Sequence, residues 1–428
     1  MVHTRGGGEI HRTASGAIRE VRTPSGAIIH HAPSGVRHVE VVRPGGRVIV
    51  ANATGRSGYV QRPLQSHGHV YVQRTFIYNG VAHASIYRPW SHGGREYHVF
   101  MPNHYYHPGF YSWVYSPWAV PVSYSWGWSA RPWYGYYGGY FSPYRTYASP
   151  AFWLADFAIA ATLETAYLAQ NASTSAPPVT YSAATGMSPE VKEAIAQEVR
   201  RQMDQAKADQ AYAQSSGQPS APPPLFSPDG PKVFLVSNSL MANAGDLECP
   251  LVEGDVLRVT QTPSQDAEWT EVRVLASRGS SCRAGSYLSV KTMDLQEMQN
   301  SMQATIERGM VKLQSDQGRD GIPALPSQAM GTVKASYTDD IRPDASAQAE
   351  LSQAVGEANR SEQAIISEGG QLPAEPGSGA TVSLGMSIAE VESALGKPKS
   401  RVDLGAKKIH VYQDLKVTFL NGRVSDVQ

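Results

Sequence analysis

The chain has 428 residues, enough for roughly two to four domains, and its 39 glycines, 29 prolines and low charged content of 17% set much of it in turns and loops. Formal charge is zero, yet residues 1–150 carry all their positive charge as arginine and hold only Glu9, Glu20, Glu40 and Glu96 as acids. The molecule is therefore dipolar, which argues against a specific nucleic-acid binder. The polar, glycine-rich stretch Met1 to Gly8 has no apolar leader, and because it already sits inside a repeat the natural start is expected upstream of Met1.

The repeat is about ten residues long, seen at Ser15-Gly16-Ala17-Ile18, Ser25-Gly26-Ala27-Ile28, Ser34-Gly35-Val36 and Gly45-Gly46-Arg47-Val48. Each unit reads as a tight turn followed by a strand, and two further strands, Val70 to Tyr78 and Val81 to Tyr87, flank the hairpin dipeptide Asn79-Gly80. Residues 1–100 are thus expected as a β-meander of hairpin repeats. Residues 101–150 turn to Tyr, Trp, Pro and Gly, with Trp113, Trp118, Trp126, Trp128 and Trp133. Prolines exclude a long helix here, so aromatic loops are expected, either capping the meander or forming an interaction surface.

Residues 151–214 read as two helices. Ala151 to Gln170 is nearly long enough to span a bilayer, but Asp156 and Glu164 favour a packed or interfacial helix, so membrane association stays open without a firm transmembrane span. Ser188-Pro189-Glu190 opens a second helix whose thin apolar stripe predicts an exposed or weakly paired element. A Pro/Ser linker is expected at 215–231. Residues 232–316 then give strands at Val233 to Val236, Val256 to Thr260, Trp269 to Leu275 and Tyr287 to Val290, followed by a helix with Leu295, Met298, Met302, Ile306, Met310 and Leu313 on one face. That face predicts packing on a small barrel or, as the sharper alternative, a Met-rich partner groove. Cys249 and Cys282 are expected as a disulfide stapling the barrel, which would place the chain in an oxidising compartment. Residues 317–379 are polar and proline-bearing, and are expected to be a disordered linker with one short helical patch near Ala347 to Ala358.

In 380–428, Ser387 caps a short helix bearing Val391 and Leu395, and strands follow at Lys408 to Tyr412, Leu415 to Leu420 and Val424 to Val427 around an Asn421-Gly422 turn. The order Leu384-Gly385-Met386, Glu390-Val391, Leu395-Gly396-Lys397-Pro398, a Tyr-bearing strand and Val417-Thr418-Phe419-Leu420-Asn421-Gly422-Arg423-Val424 resembles the SmpA/OmlA (BamE-like) family of small outer-membrane assembly lipoproteins. That resemblance implies a helix-plus-β-hairpin module that binds proteins or lipid head groups, with Tyr412 and Phe419 as interaction candidates. The phrase Val252-Glu253-Gly254-Asp255-Val256-Leu257-Arg258-Val259 with Trp269 downstream resembles bacterial SH3-like domains.

Twelve of the 13 histidines precede residue 108, and His67-x-His69 and His104-x-x-His107 have spacings that could supply metal ligands, although no local carboxylate or cysteine accompanies them. No phosphate cradle, zincin helix or nucleophile elbow appears, so no catalytic residue or cofactor is expected. The expectation is a multi-domain, β-rich α+β, non-catalytic scaffold of the bacterial periplasm, outer membrane or cell surface, contacting envelope proteins. Two alternatives stand beside it: a protein binding peptidoglycan or other cell-wall polysaccharide through exposed aromatics, and a histidine-based metal binder.

Overall fold

The computed structural model describes residues 1–13, 16–32, 37–78, 80–171, 186–215, 222–245, 247–279, 282–329, 331–369, 387–388, 391–392, 398–404, 407–412, 416–420 and 422–427. The chain divides into two compact units, Met1–Gly369 and Gly370–Gln428. Both are built on antiparallel sheets, and the whole is a β-rich α+β protein.

The first unit opens on a ten-stranded meander of β1 (Val2–His3), β2 (Glu9–Arg12), β3 (Ile18–Arg22), β4 (Ala27–His31), β5 (Arg37–Arg43), β6 (Arg47–Asn52), β7 (Gly58–Ser66), β8 (His69–Tyr78), β9 (Val81–His92) and β10 (Arg95–Met101), each hydrogen-bonded to the next. The Gly-turn repeat dictates this order. Gly26, for example, takes φ 83°, a left-handed turn in which Thr23 N–H donates to Ala27 O at 2.9 Å and Gly26 N–H donates to Thr23 O at 3.0 Å. The turn residues Ser15, Ser34-Gly35-Val36 and Asn79 lie outside the described residues.

Because alternate residues of a strand point to opposite faces, Ile10, Val21, Ile29, Val39 and Ala51, which are cross-strand partners in turn, form one buried row. Helix α6, described below, covers that row. The opposite face carries His11, Glu20, His30 and His38, again partners in turn.

After β11 (His104–Tyr106) come α1 (Pro108–Tyr115), α2 (Pro132–Tyr137), α3 (Pro150–Asn171) and α4 (Pro189–Ser215). Helix α3 is long and apolar enough to cross a membrane by length and composition, but Trp153, Leu154, Ile159 and Leu163 are fully buried in the core of the unit. Helix α4 differs from its expected exposure: Ala194, Ile195, Val199 and Met203 are buried in that same core.

Strands β12 (Val233–Leu235), β13 (Leu240–Ala244), β14 (Leu247–Leu251), β15 (Val256–Val259), β16 (Trp269–Ala276) and β17 (Tyr287–Lys291) form a six-stranded antiparallel sheet in the order β12-β15-β16-β17-β13-β14. The β13–β14 hairpin has no counterpart in the sequence reading, since Pro250 and the polar Asn243 and Glu248 mask its alternation. Leu225, inside the expected linker, is buried in the core of this sheet. Helix α5 (Thr292–Asp316) buries Leu295, Met298, Met302, Ile306, Met310 and Leu313, so Met298, Met302 and Met310 fill the core rather than line an open groove. The same helix completes the outer edge of β10. Phe100 N–H donates to Asn300 Oδ1 at 3.0 Å and Asn300 Nδ2 donates to His98 O at 2.7 Å, so an amide side chain stands where an eleventh strand would.

The expectation of a disordered linker over 317–379 fails for 317–369. Strand β18 (Thr332–Lys334) pairs with β11, and α6 (Ala347–Gly369) lays Ala347, Leu351, Ala354, Val355, Ala358 and Ile365 on the meander. Acidic residues pin it to the arginines of the sheet: Arg47 to Asp344 at 2.6 Å and Glu350 at 2.5 Å, Arg43 to Glu357 at 2.6 Å, and Arg37 to Glu362 at 2.6 Å. Residues 370–379 lie outside the described ones.

In the second unit, β19 (Ser400–Leu404), β20 (Lys407–Val411), β21 (Lys416–Leu420) and β22 (Arg423–Val427) form a four-stranded antiparallel sheet, one strand more than the sequence suggests. Its core holds Val391, Tyr412, Val417, Phe419 and Val424.

Candidate functional site

The aromatic segment turns inward. Trp118, Trp126 and Trp133 are buried, with Trp113 and Trp128 packed against the same cluster. Trp126 lies between Trp128 and Trp153, with ring centroids 3.9 Å and 4.7 Å away. Its indole N–H donates to Tyr147 Oη at 2.6 Å, and Tyr147 in turn donates to Asp156 Oδ2 at 2.8 Å. A run of tryptophans cannot by itself tell an exposed platform from a core, and here α3 supplies the partners that make it a core. Tyr412 and Phe419 are likewise core residues of the second unit, not surface contacts. The platform of stacked tryptophans that a sugar-binding surface requires is therefore not formed by Trp118, Trp126 or Trp133.

What the segment leaves open is a trough of about 510 Å³ beside the end of α1, walled by Trp113, Pro117, Trp118, Val120, Pro121 and Pro323. The 116–123 loop is fixed from behind. Val122 and Tyr147 exchange backbone hydrogen bonds of 2.9 and 2.8 Å, and Trp118 N–H donates to Ala148 O at 2.8 Å. The far wall comes from the loop after α5, where Gly321 has φ 84° and a Cβ would meet Val122 Cγ1 and Ser123 O at 3.1 Å. Among the described residues the trough is lined by no ionisable side chain. Its side-chain hydroxyls among them belong to Ser116, which donates to Ser112 O at 2.8 Å, and Ser123. Val120 stands at its mouth, 71% exposed. Sequence reasoning reached Trp113 and Trp118 but missed Val120, Gly321 and Pro323; the Pro117-x-x-x-Pro121 spacing was the available signal, and the second wall is some two hundred residues away in sequence.

The candidate metal ligands occupy separate structural positions. His67 sits in the β7–β8 turn with φ 50°, its Nδ1 2.9 Å from Ser66 Oγ and 3.7 Å from Asp340 Oδ2. His69 packs edge-on to Tyr71, with ring centroids 6.5 Å apart. His104 heads β11 with Nδ1 4.0 Å from Glu307, while His107 caps α1 by accepting Gly109 N–H at 3.1 Å. Among the described residues, no three His, Cys, Asp or Glu side chains gather where they could hold a metal ion. Cys249 of β14 and Cys282, in the connection between β16 and β17, are joined by a disulfide, and both are buried in the core beneath the six-stranded sheet.

A second polar centre is fully enclosed. Lys192 of α4 meets Asp156 of α3 at 2.9 Å, donates to Ser142 O at 2.7 Å and lies 3.6 Å from the Tyr144 ring centroid. Burial pushes the Asp156 carboxyl up, against the pull of Lys192, and pushes the Lys192 ammonium down, against the pull of Asp156. With both groups sealed from solvent, the pair acts as an interhelical latch.

No family model, no curated protein and no solved structure matches the chain. What the fold defines is a two-unit, β-rich α+β protein with an open neutral trough on the larger unit.

Proposed function

We propose that this is a non-catalytic scaffold of the bacterial cell envelope that works by holding other envelope proteins, with the trough at Val120 as a contact site. The observation that carries the binding reading is an apolar trough left open in a segment whose other tryptophans are packed away. Indole and proline faces without charge suit an extended, proline-bearing peptide segment. A glycan needs several polar partners to orient its hydroxyls, and two serines offer few. The buried Cys249–Cys282 bridge supports an oxidising address, since such bridges are rare in reducing compartments. Within this reading the six-stranded unit is an SH3-like module and the C-terminal unit an SmpA/OmlA-like (BamE-like) contact module at the membrane face of the envelope.

The test is a photo-crosslinking amino acid placed at Val120 in whole cells, with Val311, 52% exposed on α5, as the control position. Protein adducts in the envelope fraction, specific to Val120 and lost with Trp113→Ala, are expected. Adducts retained with the cell-wall polysaccharide would instead favour the glycan-binding alternative, and equal labelling at both positions would contradict a contact site there.

A further inference from the structure

Along β15, β16 and β17, Val259, Val272, Val274, Leu288 and Val290 enter the core of the six-stranded sheet, so the residues between them stand on its outer face. On that face the register sets Arg258 opposite Arg273 and Arg273 opposite Tyr287, one row across three strands. Further along, Glu271 is opposite Ser289, and Trp269 is opposite Lys291. Tyr287 is 58% exposed and Trp269 41%, and Arg258, Arg273 and Lys291 are exposed as well. Among the described residues neither Arg258 nor Arg273 forms an ion pair. Like charges directly opposite each other work against a sheet, so this pair opposes the very structure that displays it. Nearby acids are engaged: Asp266 and Glu268 pair with His92 and Arg95 of the meander at 3.0 and 3.4 Å, and Glu271 accepts the Thr260 hydroxyl at 3.0 Å. Lys291 lies 6.0 Å from the Trp269 ring centroid and also acts on Asp294 at the start of α5, which leaves the two arginines as the uncompensated charge.

We propose that this outer face docks on an anionic lipid bilayer, with Arg258 and Arg273 against the headgroups and Trp269 and Tyr287 at the interface. Side chains from alternate positions of neighbouring strands project to one side, so these cations and rings meet a surface together instead of enclosing a ligand. Guanidinium groups match phosphate oxygens bidentately, and rings with an apolar body and a polar edge suit the headgroup level of a membrane. An acidic polysaccharide would need hydrogen-bonding groups to orient its hydroxyls. Ser289 and Thr260 are the aliphatic hydroxyls of these rows, and Thr260 already donates to Glu271. The inference goes beyond the scaffold reading and is independent of what occupies the trough.

The experiment sediments the full chain, with Cys249 and Cys282 bridged, together with vesicles of phosphatidylglycerol and phosphatidylcholine in equal parts or of phosphatidylcholine alone. Binding to the first and not the second is expected, weakening as salt is added. At about 1 kcal/mol for each arginine near an anionic surface, Arg258→Gln/Arg273→Gln is expected to bind roughly thirtyfold less tightly and Arg273→Gln alone roughly fivefold less. The thermal midpoint of the double variant is expected to stay at or above that of the parent, because the opposed charges are gone; the single variant serves should the double one fold poorly. Arg5→Gln/Arg56→Gln, which takes the same charge from exposed positions of the meander, is expected to bind as the parent does. Equal binding to both kinds of vesicle, an unchanged affinity in the Arg258/Arg273 variant, or the same loss in the Arg5/Arg56 variant would overturn the proposal. Binding to soluble polygalacturonate without binding to vesicles would overturn it too and assign the face to acidic glycans.

Discussion

Lys192 and Asp156 show how a single pair can decide whether two helices hold together. The two side chains are 5% and 0% exposed, so solvent screening is negligible and the cost of separating them is high. Lys192→Met leaves the Asp156 carboxylate enclosed, with Tyr147 and the Tyr144 N–H as its hydrogen-bond partners among the described residues, and is predicted to cost about 3–5 kcal/mol in urea denaturation. Adding Asp156→Asn to that variant removes the stranded charge, and most of the loss is expected to return. An unchanged midpoint in the single variant would refute the latch. Neither partner was conspicuous in the sequence as half of a pair: Asp156 read only as a charge that spoils a membrane span, and Lys192 as one of many polar residues on a thin-striped helix. A pair formed across 36 positions has no local signature.

At the scale of elements, α6 is the clearest case of structure created by a distant partner. Its apolar residues recur at helical spacing, yet the helix looked like a short patch in a linker because nothing nearby could bury them; the burying surface is β2–β8, some three hundred residues earlier. The meander itself was legible, because Gly turns and two-residue periodicity are local signals, and so was the apolar face of α5. The hairpin β13–β14 and the inward fate of the tryptophans were not, since both depend on which surface arrives opposite. Leu351→Ala, a buried truncation beneath α6, is predicted to cost about 2–5 kcal/mol, read as a shift in the denaturation midpoint.

The clasp of α6 is also pH-dependent. Burial pushes the Asp344 carboxyl up, but hydrogen bonds from Ser346 and Arg47 outweigh it and hold the group at about 2. Glu350 is held low chiefly by its hydrogen bond from Arg47, and Glu362 is lowered by His31 and Arg37 against the opposing effect of burial. Depressed carboxyl values mean that this stabilisation is present above the ordinary carboxylate range and is lost as pH falls toward about 2. Amide exchange in 347–369, corrected for intrinsic rates, is expected to accelerate relative to the core of α3 over that interval. Equal acceleration in both helices would contradict the assignment.

On the scale of the whole molecule, the division at Gly369 makes a prediction that the sequence alone would have placed elsewhere. A chain ending at Gly369 keeps every contact of the first unit and is expected to unfold within a few degrees of the full protein by calorimetry. One ending at Asp316, the boundary suggested by composition, loses α6 and β18, exposes the Ile10–Val39 row and is expected to aggregate. The two truncations behaving alike would mean that α6 does not cover the sheet.

The proposed envelope scaffold is stapled by a bridge across 33 positions that would contribute about 3–4 kcal/mol by limiting the unfolded chain, and the proposal requires that bridge to form in an oxidising compartment. Thiol counting tests this most directly: protein isolated from native cells is alkylated before and after reduction and weighed by mass spectrometry. The prediction is no alkylation of Cys249 or Cys282 before reduction and two additions after it. Two additions before reduction would contradict the envelope assignment.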